Sequence, residues 1–494
     1  DMLLQSGKPG TVWGTAPEGT RVSLAIDGAP AGSAVATADG RFAVGFGSQL
    51  VALSTTVTVS SVHGNITLTN VAWGYLYLCS GQSNMEYAVA GTFDHVNEIA
   101  TSTYPRLRLA TVSKVQADTP QENLTLEAYG WGVSGPNTTQ VNGSVAIFDH
   151  PFSATCYFFG RELAKQLGPT VPIGLIASSW GGTPIQVWMT PTALESCGFA
   201  TEVHSRMYNA MIHPLRNLSL SGMLWDQGEA NAQGAPIYGR CFPAAITDWR
   251  SRFSAPDLAF LFVQIGPSSS NMMTDIYGNR NDSYGMALPD LRYSQLKAFD
   301  LPAIGMATAT DLGDPGCEPG VAPCLGTIGD NNLAGGHPRI KVPVGLRLAN
   351  LAMKLVHSHP EAVTEGPQLL YAQPGPAGAL SLKFDAPVAI GNTTMCTLFK
   401  VAKTSQTGAC CAASPFEVLV GDTWRRTALP SVTSSTTISV PMPPTGQLPA
   451  LKLRYAWVDT PMCMIFRDCT AVDKSSCPDH PLPTPPFNVT LPQG

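Results

Sequence analysis

The chain has 494 residues, of which 44% are apolar and 13% are charged, and its formal net charge is −6. A chain of this length exceeds one compact core, so we expect a large domain with one or two smaller ones. No long basic run is present that could follow a phosphate backbone, which argues against nucleic acid as the main partner. No apolar stretch approaches the roughly 20 residues that span a bilayer, so the sequence predicts a soluble protein.

The cysteines and glycosylation sequons indicate an oxidising compartment. Twelve cysteines can be metal ligands or disulfides, but Cys-x-x-Cys pairs are absent, Cys410 and Cys411 are adjacent, and Cys463, Cys469 and Cys477 crowd the C-terminus. This spacing favours disulfides. The chain begins without a charged and apolar leader, so we expect a secreted or lysosomal N-glycoprotein whose signal peptide has been removed. The sequons that support this expectation are Asn65, Asn123, Asn137, Asn142, Asn217, Asn281, Asn392 and Asn488.

The pattern of apolar residues changes twice along the chain. Residues 1–71 alternate apolar and polar positions in short runs such as RVSLAID, RFAVGF and TVTVSSV, which predicts an N-terminal β-domain. Residues 72–358 alternate apolar runs with segments of helical period, which predicts an α/β domain with a parallel sheet. Residues 359–494 return to short strands such as ALSLKFD, FEVLVGD, TTISVPM and LKLRYAWV, and we expect a C-terminal β-domain there.

The α/β region contains strand and helix candidates in alternation. The strand candidates are GYLYLCSG, PIGLIASS, GMLWDQGE, LAFLFVQIG and AIGMATATDL. Three apolar stripes at helical spacing are Cys156, Phe159, Leu163 and Leu167; Phe242, Ile246, Trp249 and Phe253; and Val344, Leu348, Leu351 and Leu355.

Polar residues and glycines follow these strands where each one ends. Ligands of open α/β sheets bind beyond the carboxyl ends of the strands. A long loop that begins at Asp311 after the fifth strand leads to His337, just before the final helix. The segments after the first three strands are Gly81-Gln82-Ser83-Asn84, Ser179-Trp180-Gly181-Gly182-Thr183 and Gln227-Gly228-Glu229-Ala230-Asn231.

These segments contain the parts of a serine hydrolase, which needs a hydroxyl, a base and donors to the oxyanion. Ser83 is the candidate nucleophile, and its own N–H lies near a helix N-terminus, which favours negative charge. His337 is the candidate general base and acid. Gly181 or Gly182 and the amide of Gln227 are candidate oxyanion donors.

Each of these residues also has a structural interpretation. Ser83 and the glycine pair are ordinary turn residues, His337 is equally suited to capping or packing a helix, and Gln227 can satisfy buried backbone groups. Asn231 is a less favoured alternative to Gln227 as a donor. The G-x-S-x-G motif of lipases is missing. Only the occurrence of these residues at successive strand ends favours catalysis.

Longer blocks of the chain resemble a known family. LCSGQSNM, PIGLIASSWGGTPIQVW, YNAMIHPL, WDQGEAN and GGHPRIK resemble the blocks of sialate O-acetylesterases, members of the SGNH hydrolase superfamily, and the resemblance covers nearly the whole chain. It implies a flavodoxin-like three-layer core with a parallel sheet, flanked by N- and C-terminal β-domains. The implied reaction removes O-acetyl groups, typically from position 9, of sialic acids through an acetyl-enzyme, without a metal or other cofactor. By resemblance, Ser83 is the nucleophile, His337 the base, and Gly181 or Gly182 with Gln227 the oxyanion donors.

The chain departs from the family pattern at two positions. The family often has Tyr where this chain has Asp226, and the superfamily's D-x-x-H acid position is occupied by Ala334. The acid of a triad must then be Asp311, Asp314 or Asp330, or the imidazole belongs to a Ser-His dyad, because the acid mainly fixes the tautomer and stabilises the imidazolium.

Two further features bear on the substrate. Cys317 and Cys324 can close a small loop at the rim of the pocket. Arg339 is a candidate for binding the carboxylate of a sialic acid, with a structural ion pair as the alternative. Since the catalytic residues act on the ester and the pocket selects the sugar, other acetylated glycans or polysaccharides are the alternative substrates. A glycan-binding protein with an inactive core is a third hypothesis, against which Ser83 and His337 argue.

Overall fold

The computed structural model describes residues 1–139, 152–199, 205–267, 288–314, 336–394, 411, 413–443, 450–470 and 480–492. The chain forms two compact units. The first unit comprises Asp1–Trp225 with Ala244–Leu261, and the second comprises Asp226–Pro243 with Phe262–Gly494.

The first unit begins with an antiparallel β-region. β2 pairs with β5, β3 with β4 and β6, and β6 with β7, so the strands predicted within 1–71 are confirmed. Their inward side chains form a small apolar core of Val22, Leu24, Ile26, Val44, Phe46, Val57, Val71 and Trp73. The strands are β1 (Leu3–Gln5), β2 (Gly10–Thr15), β3 (Arg21–Ile26), β4 (Ala29–Val35), β5 (Arg41–Phe46), β6 (Ala52–Ser61) and β7 (Gly64–Gly81).

β7 is 18 residues long and runs through the predicted boundary between 71 and 72. Its first part pairs with β6, and residues 72–74 pair in parallel with β1. Gln5 at the end of β1 is buried, and its Oε1 accepts the Leu76 N–H at 3.0 Å and the Ser221 hydroxyl at 2.7 Å. The N-terminal β-region and the segment that leads to Ser83 thus share one continuous strand. The division into 1–71, 72–358 and 359–494 stays a prediction.

The rest of the first unit is an α/β arrangement around β7. The strand order is β12-β11-β7-β10-β8-β9, of which β10-β7-β11-β12 follows the 2-1-3-4 order of flavodoxin-like sheets. β10 is parallel to both β7 and β8, and β8 is antiparallel to β9; β8 and β9 were not predicted from the sequence. The strands are β8 (Tyr104–Val112), β9 (Leu126–Ser134), β10 (Ile173–Ser179), β11 (Gly222–Asp226) and β12 (Ala259–Gln264).

Helices lie between these strands, as predicted. Every residue of β10 is buried, as expected for a strand covered on both faces. The predicted helices around Cys156 and Trp249 are confirmed. The helices are α1 (Ser83–Glu86), α2 (His95–Ala100), α3 (Pro136–Thr139), α4 (Ala154–Leu167), α5 (Pro191–Ser196) and α6 (Ala235–Arg252). The α/β class with parallel strands is therefore confirmed.

The second unit continues the α/β pattern and then becomes β-rich. β13 (Ile304–Thr308) neighbours β12, and the last helix of the α/β pattern, α8 (Val342–Leu355), follows α7 (Leu288–Gln295). The predicted final helix and the strands after 359 are confirmed. Those strands are β14 (Leu369–Pro374), β15 (Ala379–Phe384), β16 (Val388–Asn392), β17 (Phe416–Val420), β18 (Thr423–Arg426), β19 (Ser431–Ser434), β20 (Thr437–Pro441), β21 (Ala450–Tyr455), β22 (Cys463–Arg467) and β23 (Phe487–Thr490).

Disulfides confirm the interpretation of the cysteines. Cys79 on β7 is bonded to Cys156 on α4 in the first unit, and Cys411 is bonded to Cys463 in the second. No free cysteine occurs in the described part of the chain. The proposed Cys317–Cys324 loop lies outside the described residues, as do Cys410 and Cys477. No helix within the described ranges is long and apolar enough to cross a membrane.

We predict that replacing Cys79 and Cys156 together by alanine lowers the free energy of unfolding by about 2–4 kcal/mol. The bridge closes a loop of 77 residues and therefore restricts the unfolded chain. Urea denaturation without reductant measures the change. The Cys411→Ala/Cys463→Ala variant, which lacks the disulfide of the second unit, serves as the comparison. An unchanged unfolding midpoint for Cys79→Ala/Cys156→Ala would contradict the prediction.

Candidate active site

Ser83 lies at the turn between β7 and α1. β7 ends at Gly81, whose φ of 142° is a conformation that favours glycine, and the helix begins at Ser83. The Ser83 side chain is partly exposed, and its Oγ makes no hydrogen bond within the described residues of its own unit. Its N–H is at the first helical position, where backbone donors have no acceptor inside the helix. Both the hydroxyl and the N–H of Ser83 can therefore serve a substrate.

The N-terminus of α4 holds this turn in place. Thr155 Oγ1 donates to the Asn84 carbonyl at 3.2 Å, and the Ala154 N–H donates to the Tyr87 carbonyl at 2.7 Å. The Cys79–Cys156 disulfide joins the same two elements covalently. Asn84 is buried, so the residue after Ser83 anchors the turn instead of facing solvent.

The loop after β10 forms a second fixed turn. The Trp180 N–H donates to the Gly81 carbonyl at 3.2 Å, which ties this loop to the end of β7. The Thr183 hydroxyl donates to the Trp180 carbonyl at 2.6 Å and accepts the Trp188 indole N–H at 2.9 Å. Gly182, inside this turn, has a φ of 73°, in the left-handed region that favours glycine.

Gly181 brings the second turn against Ser83. A methyl group on Gly181 would lie 3.2 Å from Ser83 Cβ and 3.0 Å from Glu86 Oε2, so only glycine fits without displacing the serine. The Gly181 N–H donates to Glu86 Oε2 at 2.5 Å, and Lys114 forms an ion pair with Oε1 of the same carboxylate. Glu86 therefore connects the two turns. Since the Gly181 N–H is used in this bond, Gly182 is the better placed of the two candidate oxyanion donors.

Gln227 directly follows β11 and is fully buried. Its Nε2 donates to Asn231 Oδ1 at 2.7 Å, and its carbonyl accepts the Tyr238 hydroxyl at 3.2 Å. The two amides that the sequence offered as alternative donors are thus bonded to each other. An amide nitrogen carries two N–H donors, and this bond uses one of them on Gln227.

The segment that carries His337 is held by a buried ion pair. His337 is partly exposed, and Arg339 two residues later is buried. Asp314 accepts the Arg339 backbone N–H at 3.1 Å and two guanidinium N–H groups at 2.6 and 2.7 Å. The Arg339 guanidinium is therefore bound to Asp314. This is the structural ion pair that was the alternative to binding a substrate carboxylate. A carboxylate in this arrangement fixes the backbone next to the histidine.

The other acid candidates differ in their surroundings. Both carboxylate oxygens of Asp311 accept Arg347 guanidinium groups, at 2.7 and 2.8 Å, and the Asp311 carbonyl accepts the Thr394 hydroxyl at 2.8 Å. Asp330 lies outside the described residues, as does Ala334. Which aspartate completes a triad, or whether the site is a dyad, stays a prediction.

Asp226, the residue where the family often has tyrosine, lies in a buried cluster of charges. Burial raises the pKa of Asp226 to about 7; Lys341 opposes this shift and Glu229 adds to it. Burial also lowers the pKa of Lys341, against the attraction of Asp226, Glu229 and Asp314. Asp226 directly precedes Gln227, and Lys341 lies four residues after His337. Groups with shifted pKa values are therefore close in sequence to two of the predicted site residues.

The structure distributes the predicted site residues between the two units. Ser83, Gly181 and Gly182 belong to the first unit, and Gln227 and His337 belong to the second. The pairing of Ser83 with His337 stays a prediction. Glu86 and Lys114 were not predicted from the sequence; the position of Glu86 one turn after Ser83 was a usable signal, whereas nothing near Lys114 pointed to the site. No group of three or more His, Cys, Asp or Glu side chains able to hold a metal occurs in the described ranges.

Comparisons with known proteins identify the class. A family profile described as "Carbohydrate esterase, sialic acid-specific acetylesterase" matches residues 74–312, which include Ser83, Gly181, Gly182 and Gln227 but end before His337. The crystal structure of a carbohydrate acetylesterase from Xanthomonas citri is similar, with a TM-score of 0.75 and 25% identity, covering 99% of this chain and 97% of that one. The profile and this structure together identify the chain as a carbohydrate esterase.

The curated relatives specify the family. Sialate O-acetylesterase from Homo sapiens is 30% identical over 463 residues, which cover 87% of this chain and 77% of that protein. Sialate O-acetylesterase from Mus musculus is 28% identical over 488 residues, covering 87% and 80%. The chain belongs to the sialate O-acetylesterase family.

We predict that Gly181→Ala lowers kcat for ester hydrolysis by about tenfold, because its methyl group would lie 3.2 Å from Ser83 Cβ and displace the serine by a fraction of the roughly 1 Å that costs about 10²-fold. Gly168→Ala, at the C-terminal end of α4, is the matched control: its left-handed φ of 82° costs about 1 kcal/mol of stability, but nothing lies within 4 Å of its added methyl group. Kinetics and thermal unfolding of both variants test this. A Gly181→Ala enzyme with unchanged kcat would show that the contact does not fix Ser83.

We predict that Asp226 makes stability depend on pH between about 4 and 7. Its folded pKa of about 7 exceeds the unfolded value of about 3.9, so its stabilising effect is complete below the unfolded value and is lost as pH rises through 7. In Asp226→Asn this loss should be absent. Urea denaturation of both proteins across this range measures the difference, and parallel profiles would contradict the assignment.

Proposed function

We propose that this protein is a serine esterase that removes O-acetyl groups from sialic acids. The observation that carries the proposal is the contact of Gly181 with Ser83, which joins a partly exposed serine hydroxyl to a glycine turn at the ends of neighbouring parallel strands. Such a serine, next to backbone donors, is what acyl transfer requires.

In the proposed reaction, Ser83 Oγ attacks the acetyl carbonyl carbon while His337 takes the hydroxyl proton. The resulting oxyanion accepts hydrogen bonds from the N–H groups of Ser83 and Gly182 and from the Gln227 amide. The carbon–oxygen bond to the sugar then breaks, and His337 gives its proton to the departing sugar oxygen, which leaves as a hydroxyl. Water, deprotonated by His337, attacks the acetyl-enzyme, and His337 returns this proton to Ser83 Oγ as acetate leaves. Loss of one oxyanion donor typically costs about 10²–10³-fold in kcat.

The arrangement of Glu86 supports the choice of donors. Glu86 holds the Gly181 N–H and is itself paired with Lys114, so the carboxylate is neutralised and takes no part in proton transfer in this proposal. The Gly182 N–H is then the backbone donor that remains for the oxyanion on this turn. His337 acts from a segment that the Asp314–Arg339 pair immobilises.

The substrate class rests on the relatives. Both the human and the mouse relatives are named for sialate O-acetyl esters, and position 9 is the typical site by the resemblance of the sequence blocks. Other acetylated glycans have no separate support, and we use them as the comparison substrates.

We also propose that the protein acts outside the cytosol as an N-glycoprotein. The buried disulfides and the exposed sequon residues Asn65, Asn123, Asn137 and Asn392 support this, because disulfides persist in oxidising compartments. The protein expressed in a eukaryotic secretory host should lose mass on treatment with an N-glycosidase. An unchanged mass would contradict glycosylation.

We predict that Ser83→Ala and His337→Ala each lower acetate release from 9-O-acetyl-N-acetylneuraminic acid by about 10⁴-fold or more, because each removes an indispensable partner of the reaction. A chromogenic acetate ester and acetylated xylo-oligosaccharides, assayed in parallel, separate mechanism from substrate. Asn97→Ala, on an exposed helix of the first unit, is the control. Full activity of either variant refutes its role, and equal turnover of all three substrates refutes sialate specificity.

A further inference from the structure

Lys114 is a positively charged residue beside the turn that carries Ser83, where it forms an ion pair with Glu86. A sialic acid has a carboxylate that neutral acetylated sugars lack, so a site that selects it is expected to present a cation. The candidate from the sequence was Arg339, but its guanidinium is bound to Asp314. A cation joined to the nucleophile turn, such as Lys114, is therefore the better candidate.

The strand pairing places Lys114 and Ser83 at the same edge of the sheet. Thr111 of β8 is level with Ala177 of β10, which is level with Cys79 of β7. Lys114 and Ser83 lie three and four residues beyond this common level, past the carboxyl ends of parallel strands, where ligands of such sheets bind. Since β10 alone separates β8 from β7, the two strands are about 10 Å apart.

Side-chain contacts give a similar separation. A methyl group on Gly181 would lie 3.2 Å from Ser83 Cβ and 3.0 Å from Glu86 Oε2. Lys114 Nζ contacts Oε1 of the same carboxylate, so with ordinary carboxylate and ion-pair dimensions the ammonium lies within about 11 Å of Ser83 Cβ. The Lys114 side chain is 30% exposed and that of Glu86 is 9% exposed. A dissolved ligand therefore reaches the lysine more readily than the carboxylate.

The dimensions of a 9-O-acetylated sialic acid fit this separation. Its carboxyl carbon and its acetyl carbonyl carbon are joined, through the ring oxygen, by eight bonds of about 1.5 Å, which span at most about 10 Å. Reaction requires the acetyl carbon to lie roughly 3–3.5 Å from Ser83 Oγ. With the ester in that position, the carboxylate of the same sugar can contact the Lys114 ammonium.

We propose that Lys114 binds the carboxylate of the sialic acid while Ser83 attacks the 9-O-acetyl group, which makes Lys114 a specificity-determining residue. The inference rests on the proposed sialate esterase function. The ammonium, which has three N–H donors, then bridges the carboxylates of Glu86 and the substrate. Because Glu86 repels the substrate carboxylate, the net preference over an uncharged sugar is modest, about tenfold.

The test compares 9-O-acetyl-N-acetylneuraminic acid with the same sugar carrying a carboxamide in place of the carboxylate. We expect the wild-type protein to release acetate from the acid with a KM about tenfold lower than from the carboxamide. Lys114→Met should lose this ratio, and Lys114→Arg, which keeps the charge, should retain it. Lys165→Met, at a surface ion pair on α4, is the control and should behave as the wild-type protein. Thermal unfolding shows which variants are folded, and the wild-type comparison needs no variant.

The KM ratio separates recognition of the carboxylate from support of the Ser83 turn. Lys114→Met also removes a partner of Glu86 and can lower kcat for both sugars, but a purely structural role changes both sugars by the same factor. An unchanged KM ratio in folded Lys114→Met, or no discrimination by a wild-type protein that cleaves both sugars, overturns this inference alone. A wild-type protein that cleaves a chromogenic acetate ester but neither sugar overturns the proposed function, and this inference with it.

Discussion

The hydrogen bond from the Gly181 N–H to Glu86 is the interaction on which the nucleophile region depends. It joins the turn after β7 to the turn after β10, and those strands are already aligned by parallel pairing up to Ser179 and Gly81. Strand pairing alone fixes where the two turns begin. The Glu86 carboxylate then fixes how closely the two turns approach each other. Only a glycine at position 181 permits this short distance from Ser83.

Charged groups are scarce in this chain, and several of the most buried ones organise the second unit. Asp311–Arg347 and Asp314–Arg339 are ion pairs with almost no exposure, and Arg292 is completely buried with its guanidinium on backbone carbonyls. Such pairs contribute little net stability because desolvation offsets attraction, but breaking one is costly. Their effect is to hold irregular backbone, such as the segment at His337, in one arrangement.

Much of the fold could be predicted because its signals are local. The periodicity of two in the β-regions and the buried runs at 74–81 and 172–179 are properties of contiguous residues, and the structure has strands there. β8 and β9 were missed, although Arg106-Leu107-Arg108-Leu109 in β8 alternates charged and apolar residues, a pattern typical of a strand. Gly181 was predicted as a site residue, and Glu86 lies one turn after Ser83, but the bonds from Glu86 to Gly181 and Lys114 could not be predicted, since they join segments far apart in sequence. Ser83 and Gln227 were predicted as site residues because each lies within two residues of the end of a strand.

The continuity of β7 has a consequence for how this protein can vary. A module attached through a flexible linker can be exchanged or lost during evolution without disturbing its neighbour. Here β7 begins at Gly64 within the N-terminal β-region and ends two residues before Ser83, and β1 pairs with the middle of β7. Recombination at this point would cut a hydrogen-bonded strand and uncover Leu3 and Trp73, both buried. The N-terminal region and the strand that leads to Ser83 must therefore be inherited together.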